Sequence, residues 1–261
     1  MPKIRIRDIE MHYEETGQGT PLLLIHGLGS SARDWERQVP YFSKNYRVIT
    51  FDVRGHGQTD KPAGPYGIRL FAEDTAEFMK ILNIESAHVV GISMGGMIAL
   101  QLATIIPERI RSLVVVNTGA ELIVRSFREF LMVLQRKLIV RLLGMRKMGE
   151  VLSGRLFPDP EHEELRKIFV DRWAENDPRA YRDSMQGLLG WSVTEQLSSI
   201  QCPTLIVSAD HDYTPVAIKE AIVAKMPNAK LAVIPNSRHA VPVERPEEFN
   251  QIVGEFLTEN S

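Results

Sequence analysis

Short, continuously apolar runs recur along the chain, and they constrain its fold more than any other feature of the sequence. The run Leu22-Leu23-Leu24-Ile25 contains no polar residue, as expected for a strand that is covered on both faces of a parallel sheet. Near the N-terminus, residues 4–6 and 11–13 alternate between apolar and polar side chains and predict two antiparallel strands. Further candidates for buried strands lie at residues 48–51, 88–90, 113–116, 205–207 and 231–234.

Segments with helical periodicity fill most of the intervals between these runs. They cover residues 68–82, 94–105, 216–226 and 246–257. The last segment has Pro246 in its first turn, followed by two glutamates, a composition typical of a helix N-terminus. Because strands alternate with helices, the sequence predicts an α/β protein with a doubly wound, parallel sheet.

The alternation of strands and helices is interrupted between about Leu122 and Trp191. This segment contains no strand-like run and consists of helix-forming residues with many arginines and lysines. Both of its ends must return to the same edge of the sheet, so we interpret it as an inserted helical cap. The expected organisation is a core domain formed by residues 1–121 and 192–261, with residues 122–191 as the cap.

Composition excludes several classes of partner. Lys and Arg number 31 against 33 Asp and Glu, and this balance gives no indication of a nucleic-acid or membrane-surface partner. Cys202 is the single cysteine, so an internal disulfide is impossible, and we interpret this residue as a packing side chain. Neither a signal peptide nor a transmembrane segment is recognisable, and we expect a cytoplasmic protein without stable membrane insertion. Monomer and homodimer both remain open.

The most specific motif is Gly91-Ile92-Ser93-Met94-Gly95, which lies between a predicted strand and a predicted helix. In this context the pattern indicates a nucleophile elbow, a tight strand-to-helix turn that exposes the serine hydroxyl. Small neighbours allow the backbone to fold closely around the serine. The new helix directs free N–H groups towards developing negative charge. We therefore predict that Ser93 is a nucleophile, the alternative being an inert serine at a glycine-rich helix start.

A second motif, His26-Gly27-Leu28-Gly29, directly follows the strand at residues 22–25. Acyl transfer requires two donors for the tetrahedral oxyanion, each typically worth ~3 kcal/mol of transition-state stabilisation. We predict that the backbone N–H groups of Leu28 and Met94 form this oxyanion hole. His26 itself is interpreted as a structural, hydrogen-bonding residue.

A serine hydroxyl needs a base to accept its proton, and histidine does this near neutral pH. Among the seven histidines, only His239 combines a loop after a predicted strand with the last place in the order serine, acid, histidine. The acid should orient the imidazole and offset its transient charge. Asp212 is preferred for this role from its distance along the preceding strand, and Asp210 remains the alternative.

Taken together, these motifs resemble the α/β-hydrolase family, in particular small bacterial carboxylesterases with a cap. The resemblance covers nearly the whole chain and includes the segment from Asp52 to Gly57, which is similar to a structural loop of the family and makes His56 structural. It implies an eight-stranded, mostly parallel sheet and a triad of Ser93, Asp212 and His239. One departure is that the acid loop has one residue fewer than usual before Pro215, which keeps Asp210 open.

The resemblance also excludes neighbouring activities. Haloalkane dehalogenases and epoxide hydrolases carry aspartate at the position of Ser93. Ala240 stands where carbon–carbon hydrolases usually have tryptophan, and Met94 where proline iminopeptidases have it. The expected activity is hydrolysis of carboxylic esters with small to medium, mostly apolar acyl or aryl groups, through an acyl-enzyme and without a metal or other cofactor.

The substrate remains open at this level. A lactonase acting on an acyl-homoserine lactone or enol-lactone, or a thioesterase, would use the same triad. A receptor with very slow turnover is the alternative outside enzymes. Leucines at 131, 134, 138 and 142 predict an amphipathic cap helix that packs on the core or, as a sharper alternative, contacts lipid. The side chains considered for a substrate pocket are Trp35, Phe127, Met145 and Trp191.

Overall fold

The computed structural model describes residues 2–261, and its centre is a single eight-stranded sheet. The strand order is β1-β2-β4-β3-β5-β6-β7-β8, with antiparallel pairing of β1 with β2 and of β2 with β4, and parallel pairing elsewhere. The sheet thus confirms the predicted doubly wound, mostly parallel architecture. Its strands are β1 (Lys3–Ile6), β2 (Ile9–Thr16), β3 (Thr20–Ile25), β4 (Tyr46–Phe51), β5 (Ala87–Ile92), β6 (Ile110–Val116), β7 (Thr204–Ala209) and β8 (Ala229–Ile234).

Helices occupy the intervals that periodicity predicted. The segment predicted at residues 94–105 has both ends as expected, and the other three agree to within three residues. The helices are α1 (Val39–Phe42), α2 (Ile68–Ile81), α3 (Met94–Ile105), α4 (Phe127–Leu156), α5 (Glu163–Ala174), α6 (Pro178–Leu188), α7 (Val216–Val223), α8 (Val241–Glu244) and α9 (Pro246–Glu259).

Each face of the sheet carries its own apolar cluster. One cluster packs α2 and α3 on the sheet and includes Phe71, Phe78 and Ile98. The other packs α9 on the opposite face and includes Phe249 and Phe256. Because both faces are covered, every residue of β5 is buried, which explains why the central strands have continuously apolar sequences.

Trp35 belongs to the core and not to a pocket. Its side chain has no exposed surface and packs beside Phe249, with ring centroids 6.4 Å apart. It therefore has no surface to offer a substrate, and this placement replaces the expectation that it lines a substrate pocket. The sequence alone does not show which face of the sheet this tryptophan packs against.

Residues 122–191 lie between β6 and β7 and contain α4, α5 and α6. Paired backbone segments tie the two ends of this cap segment together. Leu122 donates its N–H to the carbonyl of Trp191 at 2.8 Å, and Gly190 donates to the carbonyl of Leu122 at 2.8 Å. These bonds form a narrow stem, so the three helices leave and re-enter the core at one point.

The long helix α4 consists of two helical parts that differ in burial. They meet at Gly144, whose φ of 81° is non-helical. In the second part, Met145 and Met148 are buried against Trp173 and Tyr181. In the first part most apolar side chains are exposed, up to 75 % for Phe127. No helix within residues 2–261 is both long and apolar enough to cross a bilayer.

Replacing Trp35 with alanine should lower the free energy of unfolding by about 3–5 kcal/mol, because a large ring is removed from a closed core. Trp35→Phe keeps most of the apolar volume and should cost much less. Urea unfolding of the two variants measures the difference. A changed KM for esters at unchanged stability would instead assign Trp35 to a substrate pocket.

Candidate active site

Ser93 lies at the turn between β5 and α3 and has an unusual backbone conformation. Its φ of 53° and ψ of −117° lie in a region that residues with a side chain rarely adopt. The turn is held in place by the N–H of Ser93, which donates to the carbonyl of Val116 at 2.9 Å. This geometry is that of a nucleophile elbow, and the serine side chain is left half-buried.

The glycines of this turn are needed because three backbone segments approach one another closely. A Cβ at Gly95 would lie 2.1 Å from the carbonyl oxygen of Ile25, at the end of β3. A Cβ at Gly91 would lie 2.2 Å from the carbonyl oxygen of Gly95 itself. Both contacts are far below the van der Waals limit, so no other residue fits at either position without moving the backbone.

His239 and Asp212 are brought together from two different loops. Nδ1 of His239 lies 2.7 Å from Oδ1 of Asp212, whose side chain is completely buried. Burial alone would raise the pKa of this carboxyl group. The hydrogen bonds and positive charges of His239 and Lys219 outweigh that effect and lower it.

Asp210, the alternative acid, has a different set of contacts. Its carboxylate accepts the backbone N–H groups of Asn236 and Ser237 at 2.9 and 3.0 Å. These bonds fix the loop that leads to His239. Asp212, and not Asp210, is therefore the carboxylate in contact with the imidazole.

Tyr213 was not singled out from the sequence, although it follows the predicted acid. Its hydroxyl lies 2.6 Å from Nε2 of His239, and its ring stacks on the imidazole with centroids 4.1 Å apart. The phenol thus covers the imidazole nitrogen that faces away from Asp212, and only its position beside Asp212 in the chain could have suggested this.

The turn that follows β3 passes directly beside Ser93. A Cβ at Gly27 would lie 3.6 Å from that of Ser93, which brings the N–H of Leu28 close to the elbow. Met94 is the first residue of α3, and the first N–H groups of a helix have no intrahelical acceptor. The geometry therefore permits the predicted oxyanion hole, whose function remains a prediction.

His26 and His56 have structural contacts, in line with the sequence interpretation. The ring of His26 contacts the carbonyl of Gly27 through Nδ1 and accepts the N–H of Val53 through Nε2 at 3.0 Å. His56 is buried, and burial lowers its pKa to about 3. The carboxylate of Asp52 accepts two loop N–H groups and holds the tight loop after β4.

Asn117 is a second residue that sequence reasoning missed. It directly follows β6 and is buried, with a φ of 46°. Its side-chain amide donates to the carbonyl of His239 at 2.9 Å, and its side-chain oxygen accepts the N–H of Ala209 at 2.8 Å. Asn117 therefore ties the histidine loop to the end of β7. The only sequence signal was a polar residue at the end of an apolar strand.

The remaining pocket candidates are not brought together. Phe127 stacks on Phe130 at the exposed start of α4. Met145 is buried within the cap cluster that also contacts Leu28. Trp191 is half-buried at the stem, where its indole N–H donates to Gln101.

One cluster away from Ser93 has the composition of a metal site. Ligand atoms of Asp159, His162 and Glu244 lie within 4.8 Å of one another. Nη1 of Arg238, however, lies 3.3 Å from Asp159 and 3.9 Å from Glu244. The guanidinium already supplies positive charge to these carboxylates, so the cluster is an ion-pair network that joins the cap to the histidine loop.

Comparison with known proteins identifies the family to which a chain with this fold and site belongs. The model of the alpha/beta hydrolase fold family matches residues 20–246. The chain therefore belongs to the α/β-hydrolase family.

Several members with assigned names are similar along almost the whole chain. A (E)-2-((N-methylformamido)methylene)succinate hydrolase of Acinetobacter baylyi is 33% identical over 262 residues, covering 94% of this chain and 93% of the relative. A 3-oxoadipate enol-lactonase from the same organism is 30% identical, covering 95% and 92%. The structure of a thermophilic esterase from Thermogutta terrifontis, with malate bound, superposes with a TM-score of 0.91 at 26% identity and covers 100% of both chains. These relatives are hydrolases.

The two aspartates can be distinguished by a matched pair of variants. Asp212→Asn should lower kcat by about three to four orders of magnitude, because a neutral amide cannot stabilise the imidazolium or fix its tautomer. Asp210→Asn should change kcat by less than about threefold, because this side chain binds two backbone N–H groups and the exposed His211 and does not contact His239. Steady-state kinetics on one ester measures both. A severe loss in the Asp210 variant alone would reverse the assignment.

Proposed function

We propose that this protein is a serine hydrolase that cleaves carboxylic esters of small to medium, mostly apolar acyl or aryl groups. The proposal is carried by one observation, the hydrogen bond between His239 and Asp212 beside a serine in an elbow conformation. Membership of the α/β-hydrolase family supports it, as does the likeness to an esterase of known structure.

In the proposed first half-reaction, Oγ of Ser93 attacks the ester carbonyl carbon while Nε2 of His239 accepts the hydroxyl proton. The negative charge on the carbonyl oxygen is held by the N–H groups of Leu28 and Met94. The carbon–oxygen bond to the alcohol then breaks, and the proton on Nε2 passes to the departing alcohol oxygen. An ester between Ser93 and the acyl group remains.

In the second half-reaction, His239 accepts a proton from water, and the resulting nucleophile attacks the acyl-enzyme. The bond between Oγ and the acyl carbon breaks, the proton returns to Ser93, and the carboxylic acid leaves. Asp212 stays ionised throughout and offsets the charge on the imidazolium.

Tyr213 imposes a condition on this mechanism. Its hydroxyl contacts Nε2 of His239, the atom that must accept the serine proton. Direct proton transfer between serine and histidine therefore requires the phenol to move aside when substrate enters. Tyr213 is largely exposed, so its displacement does not disturb the core.

Hydrolysis of p-nitrophenyl acetate, butyrate, octanoate and laurate tests the proposal, with Ser93→Ala measured alongside. We expect turnover to be highest for short or medium acyl chains, and the variant to lose several orders of magnitude in rate. Correct folding of the variant is checked by its circular dichroism and thermal unfolding.

The contrary outcomes are distinct. Turnover that persists in the Ser93→Ala variant would refute the nucleophile. Stoichiometric labelling of Ser93 without sustained turnover on esters, lactones or thioesters would favour a receptor that hydrolyses only slowly.

Lactone hydrolysis is the second candidate. It is favoured by the relative named as a 3-oxoadipate enol-lactonase. A lactone is an internal ester, so the same steps would open its ring and leave the alcohol, or enol, attached to the acyl group until water releases the acid. Thioester hydrolysis would use the same residues, but no observation favours it.

Arg136 supports a substrate that carries a carboxylate in addition to the reacting ester or lactone. Its Nε donates to the hydroxyl of Tyr181, and no carboxylate within the described residues 2–261 forms an ion pair with its guanidinium. A Cβ at Gly29 would lie 3.0 Å from the ring of Tyr181. Only the side chain of Tyr181 therefore separates the guanidinium from the turn at residues 27–29, which contains the predicted oxyanion donor Leu28. At this position the guanidinium can attract an anion.

Arg136→Gln tests this recognition. It should lower kcat/KM for a carboxylate-bearing ester or enol-lactone by about 10- to 100-fold, the usual value of a charge-assisted hydrogen bond. The rate for p-nitrophenyl butyrate should change by less than about threefold. Arg141→Gln removes an equal charge from an exposed position of α4 and is the control. Equal losses on charged and neutral substrates would refute carboxylate binding by Arg136.

A further inference from the structure

The carboxylate of Asp212 contacts two basic side chains, one on each oxygen. His239 contacts Oδ1 through its Nδ1, and Lys219 contacts Oδ2 through its Nζ at 2.6 Å. The side chains of Asp212 and Lys219 both have no exposed surface. A fully buried lysine is rare, and such lysines are almost always paired.

Lys219 lies on α7, directly behind the loop that carries the acid. Its ammonium also donates to the carbonyl of Thr214, within the same loop. Lys219 therefore holds Asp212 from the side opposite to His239. It has no access to the surface above Ser93, and so it cannot contact a substrate directly.

We propose that Lys219 is a positioning residue that acts through Asp212 to keep His239 in its neutral, proton-accepting form at lower pH. This inference rests on the proposed function, in which His239 is the base for Ser93. An isolated, buried carboxylate would favour the imidazolium form of its histidine partner strongly. The ammonium on the other oxygen offsets part of that negative charge, and hence part of the attraction.

The pairing distances are those of charge-assisted hydrogen bonds. Burial lowers the pKa of Lys219, and the bond to Asp212 acts in the opposite direction. The hydrogen bonds and charges of His239 and Lys219 outweigh the effect of burial and lower the pKa of the Asp212 carboxyl group. The distance of 2.6 Å between Nζ of Lys219 and Oδ2 of Asp212 is that of an ion pair.

Other ionisable groups near His239 are either paired or act through Tyr213. Asp210 lies beside His211 at the surface. Tyr213 contacts Nε2 of His239, and the positive charge of Arg136 acts on the hydroxyl of Tyr213. On the other side, the network formed by Arg238, Asp159, Glu244 and His162 is closed upon itself. Lys219 is the cation that contacts Asp212 directly.

Lys219→Met and Lys219→Gln remove the charge, and the glutamine retains a hydrogen-bond donor towards Asp212. In both variants the acid limb of the pH–rate profile should move to higher pH by about one unit, because the uncompensated carboxylate stabilises the imidazolium. KM should not change. Lys225→Met removes an equal charge from an exposed residue just beyond α7 and should leave the profile unmoved.

The rate is best measured as labelling of Ser93 by a fluorophosphonate, which needs no knowledge of the natural substrate. The oxygen–phosphorus bond forms, fluoride leaves and His239 takes the serine proton, so the pH dependence reports on the histidine. KM is measured separately with p-nitrophenyl butyrate. Thermal unfolding identifies variants that fail to fold. If Lys219→Met does not fold, the pH profile of Lys219→Gln alone tests the proposal.

Three outcomes are informative. Upward shifts of the acid limb in both neutral variants would support the proposal. The proposal would be overturned if the acid limb did not move, while the labelling rate fell equally at every pH and recovered in the glutamine variant. Lys219 would then only anchor the loop. Absence of labelling in the wild-type protein would overturn the proposed function itself, and this inference with it.

Discussion

The site depends on the close approach of three backbone segments at the start of α3. The end of β3, the end of β5 and the first turn of α3 meet where Gly95 faces the carbonyl of Ile25 and Gly91 faces that of Gly95. Side chains are excluded there, so the chain must reverse sharply, and Ser93 takes a positive φ as a result. The same contact carries the turn at Gly27 past the serine. One packing constraint therefore sets the positions of Ser93, the N-terminus of α3 and the turn at Gly27 relative to one another.

The rest of the site is assembled at the carboxyl ends of neighbouring parallel strands, as is general for open α/β sheets. Asn117 after β6 connects the end of β7 to the loop that holds His239. Asp212 follows β7 and is held between His239 and Lys219. Asn117, Asp212 and His239 are distant in sequence, yet each is held by a hydrogen bond that is at least partly buried. Such a network keeps the imidazole in one orientation, which a proton carrier requires.

The cap differs in character from the core. Its stem is fixed by backbone hydrogen bonds around Leu122 and Trp191. In its inner part, the cluster that contains Met145 and Trp173 packs against Leu28, in the turn after β3. Beyond the kink at Gly144, the outer part of α4 exposes most of its apolar side chains. The inner part thus packs beside the turn that follows β3. Tyr181, which accepts a hydrogen bond from Arg136, lies beside Gly29 in that turn.

The sequence by itself determined the sheet, the helical character of residues 122–191 and the tight glycine turn at Ser93, because apolar periodicity and close glycine packing are local properties that a chain displays directly. It also limited the candidates for the carboxylate partner of His239 to two aspartates, Asp210 and Asp212. Only the tertiary structure decided between their contacts, since both aspartates meet the loop after β8, where Asp210 binds backbone N–H groups and Asp212 contacts the imidazole of His239. The same holds for Trp35, which is buried against α9, and for Tyr213, Asn117 and Lys219, none of which carries a motif. Their roles arise from contacts between segments far apart in the chain, and the spacing of residues does not encode those contacts.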